Sequence, residues 1–474
     1  MRPWRERLHD TIFERAVELA QAHRMPITTE AGPDCGAGGR DADPLLQALR
    51  VGDPEESAFP KRGEQMSLRW TLPVLGFLAL ALAGSVAAEN AQVVEGMFYL
   101  DGAPVSITIQ DGIIQRVERK DALDDPAMDG VYVGPGLMDH QVNGLLGIGF
   151  AAEGLTVEKV RHATQRLWEA GVTTYVPTLT TNSRELLERS FAVMAEALQD
   201  PEIAQSIPGL HLEGPYISPI DGYRGAHPAE WVRPPDWEEF MAFYRASGEN
   251  IIEVTVAPET EGALEFIRKC RKLGIVVAIG HHNASAEVIR EAADAGATVS
   301  THLGNGCANT INRHENPLWP QLAEDRLQAS LIADGFHLRP EEVKVFHAVK
   351  RTERTLIVSD ASRLAGLPPG EYERDGATVV VTPEGAVRLP SQNVLAGSAS
   401  LLVKGVGNVM RFTGCSLAEA FQMASRNPAR LFGLRDRGEI EPGMRADLIF
   451  FKMVDGALEI QRTMVRGQTV FTRQ

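Results

Sequence analysis

Eight short apolar runs alternate with helix-like stretches through the middle of this chain, beginning near Val131, Val172, Pro208, Ile251, Ile275, Thr298, Ser330 and Thr355. A strand that reads as a near-continuous apolar run is one covered on both faces, which is the habit of a parallel sheet wrapped in helices. Eight such units close on themselves, so the expected fold class is α/β, a (β/α)8 barrel of the TIM type. Several of the intervening helices are legible from their ends. Asn182-Ser-Arg-Glu185 and Ser416-Leu-Ala-Glu419 read as capping boxes ahead of apolar periodicity, and Ala286 to Ala295 is an amphipathic segment stopped by Gly296.

The flanks of this middle region have a different texture. Val93 to Leu100, Val105 to Ile109 and Ile113 to Val117 read as short strands, separated by turn signals at Asp101-Gly102 and Asp111-Gly112. Ala446 to Phe451 and Thr463 to Gly467 repeat the pattern near the other end. Residues 89–133 and 433–474 are therefore expected to build a small β-sandwich jointly, around a barrel spanning 134–432.

Ahead of this lie two further zones. Residues 1–65 are charged and rich in Gly, Asp and Pro after a helix-like start, and are expected to be poorly ordered. From Met66 a basic start, an apolar run from Thr71 to Ala83 and a small-residue exit at Gly84-Ser-Val-Ala-Ala88 spell a secretory signal peptide over 66–88. A signal-anchor or a buried helix is the competing reading, and the run is short for a full span. A cleaved signal would make the protein periplasmic or secreted, with no stable membrane span in the mature form and 1–65 a wrongly assigned extension. Otherwise the protein is cytoplasmic.

Charge and cysteines remove some functions. A formal net charge of -16 argues against a nucleic-acid partner, which would need a clustered basic surface. Cys35, Cys270, Cys307 and Cys415 are scattered without a Cys-x-x-Cys pair, which points away from a disulfide framework and from a thiolate metal site.

The chemistry sits where the apolar runs stop. Gly209-Leu-His-Leu-Glu213 ends the third run on a carboxylate before a Gly-Pro turn. His281 ends the fifth, His302 the sixth and Asp360 the eighth. In a parallel barrel these ends share one face, so distant residues converge. Two imidazoles and a carboxylate suit one divalent metal ion, Zn2+ first, with Fe2+, Co2+ or Mn2+ also compatible. Asp360 could then carry protons between water and a leaving amine. Singly, each residue has a plainer reading: a hydrogen-bonded structural histidine, a salt-bridged Glu213, or an N-cap at Asp360. It is the conjunction at strand ends that favours a metal-dependent amide hydrolase.

These residues sit in ordered motifs: Pro135-Gly-Leu-Met-Asp139, His211-Leu-Glu213-Gly-Pro, Gly225-Ala-His227, Gly280-His281, Thr301-His302-Leu-x-Asn305, Ala333-Asp-Gly-x-His337, Ser359-Asp360-Ala, Leu395-Ala-Gly-Ser398 and Asn427-Pro-Ala-Arg430. From about Val93 to Val470 the chain resembles N-acetylglucosamine-6-phosphate deacetylases of the amidohydrolase superfamily. The resemblance implies a metal on Glu213, His281 and His302, Asp360 as general acid/base, and His227 at the acetyl carbonyl. Where many members carry a His-x-His pair this chain has Gln141-Val-Asn143, which implies a single metal with the two amides beside it. Substrate contacts are implied for Ala226, Asn305, Gly306, Arg313, His337, Leu395, Ala396 and Gly397, and a homodimer for the assembly, with His337 reaching across its interface. Two departures bear on the sugar phosphate. The family shows Asn-Ala-Met where this chain has Asn305-Gly306-Cys307, and Arg-Glu-Pro-Gly where it has Arg313-His-Glu-Asn-Pro317.

The leading expectation is hydrolysis of the acetamido group of a small amino-sugar substrate, N-acetylglucosamine 6-phosphate. An exported amidohydrolase acting on an unphosphorylated N-acyl sugar or N-acyl amino acid is the alternative. A non-catalytic scaffold is disfavoured because all four site residues are present.

Overall fold

The computed structural model describes residues 91–374, 377–391 and 394–474. The sequence expectations for 1–65 and 66–88 lie outside these residues. Among the described residues no helix is long and apolar enough to cross a membrane.

The described chain opens with three antiparallel strands, β1 (Gln92–Phe98), β2 (Pro104–Gln110) and β3 (Ile113–Arg119), turning at the predicted Asp-Gly positions. Side-chain alternation sets their faces: Val105, Ile107 and Ile109 of β2 are buried, and the residues between them are half-buried. Next, β4 (Tyr132–Pro135) pairs with β1, and after one residue β5 (Leu137–Val142) begins. The run predicted from Val131 as the first barrel strand is thus two strands in two sheets. The residue between them is Gly136, where a Cβ would stand 2.0 Å from Thr173 Oγ1 of the neighbouring, buried Thr173.

A two-residue-per-strand hairpin, β6 (Gly144–Leu145) with β7 (Ile148–Gly149), follows β5. The remaining barrel strands are β8 (Val172–Thr180), β9 (Leu210–Glu213), β10 (Ile251–Val256), β11 (Val276–Ile279), β12 (Val299–Ser300), β13 (Gln328–Ile332) and β14 (Thr355–Val358). They pair in parallel in chain order from β5 to β14. A parallel bridge between Val142 and Ala361, with the Ser359 N–H donating to Asp139 Oδ1 at 3.1 Å, brings the last strand back to the first.

The helices between them pack by a single stripe. In Ala263–Lys272 the buried residues are Ala263, Phe266, Ile267 and Cys270, the i, i+3, i+4, i+7 pattern of one helix face, while Glu265, Lys269, Arg271 and Lys272 stay off it. Burying a Phe or Ile contributes about 1.5–3 kcal/mol each. Ala286–Ala295 stops at Gly296 as expected, with Ser285 capping its start. At Arg184–Ala197 the cap is Ser183, whose hydroxyl accepts from the Leu186 N–H at 3.2 Å, one residue later than the predicted Asn182.

Two features complete the chain. A four-stranded antiparallel sheet, β15 (Gly370–Arg374), β16 (Ala377–Val381), β17 (Val387–Leu389) and β18 (Val394–Leu395), follows β14 around its own small core of Leu364, Val379, Val381, Val387, Leu389 and Ala396. Finally β19 (Leu448–Val454), β20 (Ala457–Val465) and β21 (Gln468–Thr472) return to the start, β19 lying antiparallel to β4. The β-domain expected from both ends takes the form of one seven-stranded sheet, ordered β21-β20-β19-β4-β1-β2-β3.

Candidate active site

Glu213 is the last residue of β9, and His281, His302 and Asp360 each stand two residues past the ends of β11, β12 and β14. All four are buried. His281, His302 and Asp360 also share a backbone state that side-chain-bearing residues rarely adopt, with φ of 51°, 29° and 48°. Left-handed backbone of this kind persists only where the surroundings enforce it, and it concentrates at functional sites. Here it turns each side chain off its strand and over the barrel mouth.

The donor atoms of Glu213, His281 and His302 lie within 4.8 Å of one another. Glu213 Oε1 is 2.9 Å from His302 Nε2 and 3.5 Å from His281 Nε2, and the two nitrogens are 3.1 Å apart. His281 Nδ1 faces the Tyr223 carbonyl at 3.1 Å, so the ring proton belongs on Nδ1 and the lone pair of Nε2 points into the cluster. The His302 N–H donates to Ser330 Oγ at 2.7 Å, which fixes that residue from the adjacent strand. Two imidazole nitrogens aimed at each other and at one carboxylate oxygen form a convergent donor set, and they fit a divalent cation. Burial raises the Glu213 pKa, but hydrogen bonds and charge from His281 and His302 outweigh it and hold the carboxyl well below its usual range. Burial lowers the His302 pKa and the Glu213 bond raises it more, for a net rise.

The two amides of Gln141-Val-Asn143 stand beside this cluster. Gln141 Nε2 donates to Glu213 Oε1 at 2.9 Å, and Asn143 Nδ2 donates to Asp360 Oδ1 at 2.7 Å. Burial first, and the Glu213 charge second, raise the Asp360 pKa. The barrel interior also carries a polar set: His140 Nδ1 meets Glu253 Oε2 at 3.2 Å, and His211 bridges Thr178 Oγ1 (3.2 Å) and Thr255 Oγ1 (2.8 Å). His282, beside a cluster member, is outside the donor set and accepts the Ala284 N–H on Nδ1.

Above the cluster opens a cavity of about 650 Å3. Asn143, Glu213, Ala226, His227, His281, His302, Asn305, Gly306, His337, Asp360, Leu395 and Gly397 line it; Gln141 and Ala396 stand off the wall. The His227 ring packs edge-on to His281 at 4.4 Å between centroids, with Nδ1 2.7 Å from Thr181 Oγ1. His337 Nδ1 is 2.8 Å from Asp334 Oδ2, a carboxylate that also accepts the backbone N–H groups of Phe336 and His337 and the Ser398 hydroxyl. Gly306, where the resembled family has alanine, has φ of +58° and leaves 2.8 Å between a built Cβ and His281 Nδ1, so a side chain there would press on the cluster.

Arg313 is not brought to this wall. Asn312 Oδ1 accepts the N–H groups of His314 and Glu315, and Asn316 Nδ2 donates back to the Asn312 carbonyl, so the segment coils locally and leaves Arg313 exposed. The arginines on the wall are Arg339, Arg363 and Arg388. They sit in no spacing pattern that sequence reading could have used, and Arg388 belongs to the unforeseen sheet. Thr181, Tyr223 and Asp334 were also missed as partners. Only Asp334 had a signal, its place three residues before His337 in one motif.

An eight-stranded parallel barrel whose mouth gathers one carboxylate, two imidazoles and an aspartate is the frame of metal-dependent hydrolases. Residues 132–470 match the model of the amidohydrolase family, and the chain belongs to that family, in its N-acetylglucosamine-6-phosphate deacetylase branch. The Bacillus subtilis N-acetylglucosamine-6-phosphate deacetylase is 32% identical over 71% of this chain and 84% of its own. The crystal structure of the Thermotoga maritima deacetylase of that name superposes with a TM-score of 0.71 at 29% identity, over 81% of this chain and all of the other. A Mycobacterium smegmatis deacetylase variant in complex with N-acetyl-D-glucosamine-6-phosphate gives 0.72 at 28% identity, over the same shares.

Proposed function

We propose that this protein hydrolyses the acetamido group of N-acetylglucosamine 6-phosphate to glucosamine 6-phosphate and acetate. The observation that carries the reading is the Glu213–His281–His302 cluster opening into the same cavity as Asp360 and His227. A divalent cation held by Glu213 Oε1, His281 Nε2 and His302 Nε2, zinc first among those this donor set suits, supplies Lewis acidity that polarises a carbonyl and acidifies water.

The chain's own residues do the rest. Asp360 takes a proton from the attacking water through the oxygen that Asn143 does not hold. As water oxygen bonds to the acetyl carbon and the C–N bond breaks, Asp360 returns that proton to the leaving nitrogen. His227 serves the developing oxyanion if its Nε2 carries the proton, which requires Nδ1 to accept from the Thr181 hydroxyl. His337, oriented by Asp334, and the wall arginines Arg339, Arg363 and Arg388 receive the phosphate, with Asn305 and Gly306 alongside. Assembly as a homodimer completes the reading: exposed Trp319, Val345 and Val349, on two helices in contact, offer an apolar face for it.

The test is acetate release by purified metal-loaded protein from N-acetylglucosamine 6-phosphate and from unphosphorylated N-acetylglucosamine. A kcat/KM at least about 100-fold higher for the phosphorylated sugar is expected, from the loss of several charge-assisted hydrogen bonds. Equal efficiencies would end the phosphate assignment, and no acetate from either would end the deacetylase reading.

A further inference from the structure

Four contacts tie His281 to one short segment, residues 218–227. The Ser218 N–H donates to the His281 carbonyl at 2.9 Å, and the Tyr223 carbonyl faces His281 Nδ1 at 3.1 Å. At Gly225 a Cβ would stand 2.9 Å from His281 Cε1 and 3.2 Å from Nδ1, and the His227 ring packs edge-on to the His281 ring. The segment is also bonded to itself. The Tyr223 and Arg224 N–H groups donate to the Ile220 carbonyl at 3.1 and 2.9 Å, and the Arg224 guanidinium donates to the His227 carbonyl at 2.6 Å and to the Asp221 carboxylate. A shift at Gly225 therefore carries the Tyr223 carbonyl and His227 with it.

Gly225 is where the segment seats. Its φ is +60°, a backbone state that side-chain-bearing residues rarely adopt. The 2.9 Å to Cε1 is well inside the roughly 3.5–4.0 Å at which carbon atoms rest, so a methyl group there would force segment and ring apart. The ring has little room to yield. Gly306 of a second loop lies against it as well, with a built Cβ 2.8 Å from Nδ1 and 3.0 Å from Cγ, and Nε2 is committed to the cluster. The segment is the part that moves.

We propose that Gly225 is a positioning residue whose bare Cα seats residues 218–227 on His281. One contact then does two things: it orients the metal ligand through the Tyr223 carbonyl, and it places His227 at the reacting carbonyl. The inference rests on the deacetylase reading for the part that His227 plays. A hydrogen bond that fixes the second nitrogen of a ligand histidine sets its tautomer and its direction, which is the contribution of the Tyr223 carbonyl. Coupling between two equilibria is reciprocal, so a seated segment that raises metal affinity is itself held more firmly once the metal is bound.

The experiment sets Gly225→Ala against Gly130→Ala, a glycine with φ of +72° and nothing within 4 Å of a built Cβ, which brings the same backbone strain without the contact. Gly225→Ala should weaken metal binding about 10- to 100-fold in a chelator competition. At saturating metal it should lower kcat for N-acetylglucosamine 6-phosphate about 10²-fold, the scale of one oxyanion donor. Gly130→Ala should change neither. In a His227→Ala background, Gly225→Ala should change kcat by no more than about twofold, because the group it places is gone. In the unaltered protein, stripping the metal should speed amide exchange across residues 218–227 at least about tenfold, a reading that needs no variant to fold. Metal affinity unchanged by Gly225→Ala, losses matched by Gly130→Ala, or a kcat loss that multiplies with that of His227→Ala would each overturn the proposal, as would exchange that ignores the metal. Wild-type protein that releases no acetate would overturn the deacetylase reading instead, and the metal and exchange measurements would still decide how His281 is seated.

Discussion

Asp360→Asn replaces the proposed proton carrier by a group of the same shape that can neither take nor give a proton. Asp360 stands outside the Glu213–His281–His302 donor set, and its Oδ1 accepts from Asn143 Nδ2 at 2.7 Å. Metal affinity should therefore be retained. General acid–base catalysis contributes about 10²- to 10⁴-fold. Both proton transfers in this reaction pass through the one carboxyl, so the upper end applies, a loss of about 10⁴-fold or roughly 5 kcal/mol of barrier. It should fall on kcat, with KM little changed. The pH profile adds a second readout. Asp360 must be ionised to accept a proton, and burial with the Glu213 charge raises its pKa above 3.8. Wild-type activity should thus fall as pH drops through that raised pKa, and this acid limb should be absent from the residual activity of the variant. Acetate release and metal content measured on the same preparations decide the matter. A variant with normal metal and kcat within tenfold of wild type would remove Asp360 from the chemistry. Loss of metal along with activity would make it a ligand instead.

Three further outcomes are expected. Gln141→Leu removes the donor that holds Glu213 Oε1 at 2.9 Å, and should weaken metal binding about 10- to 100-fold in a chelator competition; unchanged affinity would show that the amide does not tune the ligand. Thr181→Val removes the hydroxyl 2.7 Å from His227 Nδ1, and should lower kcat by up to about 10²-fold, the scale of one oxyanion donor, with Thr181→Ser recovering most of it; equal losses in both would point to packing. Burial pushes the Asp139 carboxyl up to about 6. A folded-state pKa above the unfolded one means that the stability it contributes is full below about pH 4 and lost as pH rises through about 6, roughly 3 kcal/mol in all. Asp139→Asn should flatten the denaturation midpoint across that window, and an unchanged pH dependence would refute the assignment.

Much of the site was legible because barrel geometry converts sequence order into spatial order. Glu213, His281, His302 and Asp360 each end an apolar run, and parallel strands put all such ends on one face. What stayed illegible depends on packing between distant segments. Nothing in the run from Val131 to Val142 marks a change of sheet except Gly136, whose reason is the buried Thr173 on another strand. The sheet from Gly370 to Leu395 follows the last barrel strand, where the alternating β/α pattern gives it no place, and its core is small. Arg313 was assigned by motif, yet the Asn312 and Asn316 side chains coil its segment outward, a local competition that a motif does not reveal. Partners such as Thr181 and the Tyr223 carbonyl are fixed only once the loops have closed over the mouth.

Because β4 and β5 are separated by Gly136 alone, the first stave of the barrel hangs from a strand whose second neighbour is made very late. Val133 pairs with Phe450, so during synthesis one edge of β4 stays unsatisfied until β19 has left the ribosome. Trimming the last three strands would therefore not yield a shorter enzyme but would expose that edge at the root of the barrel, a place for other chains to dock.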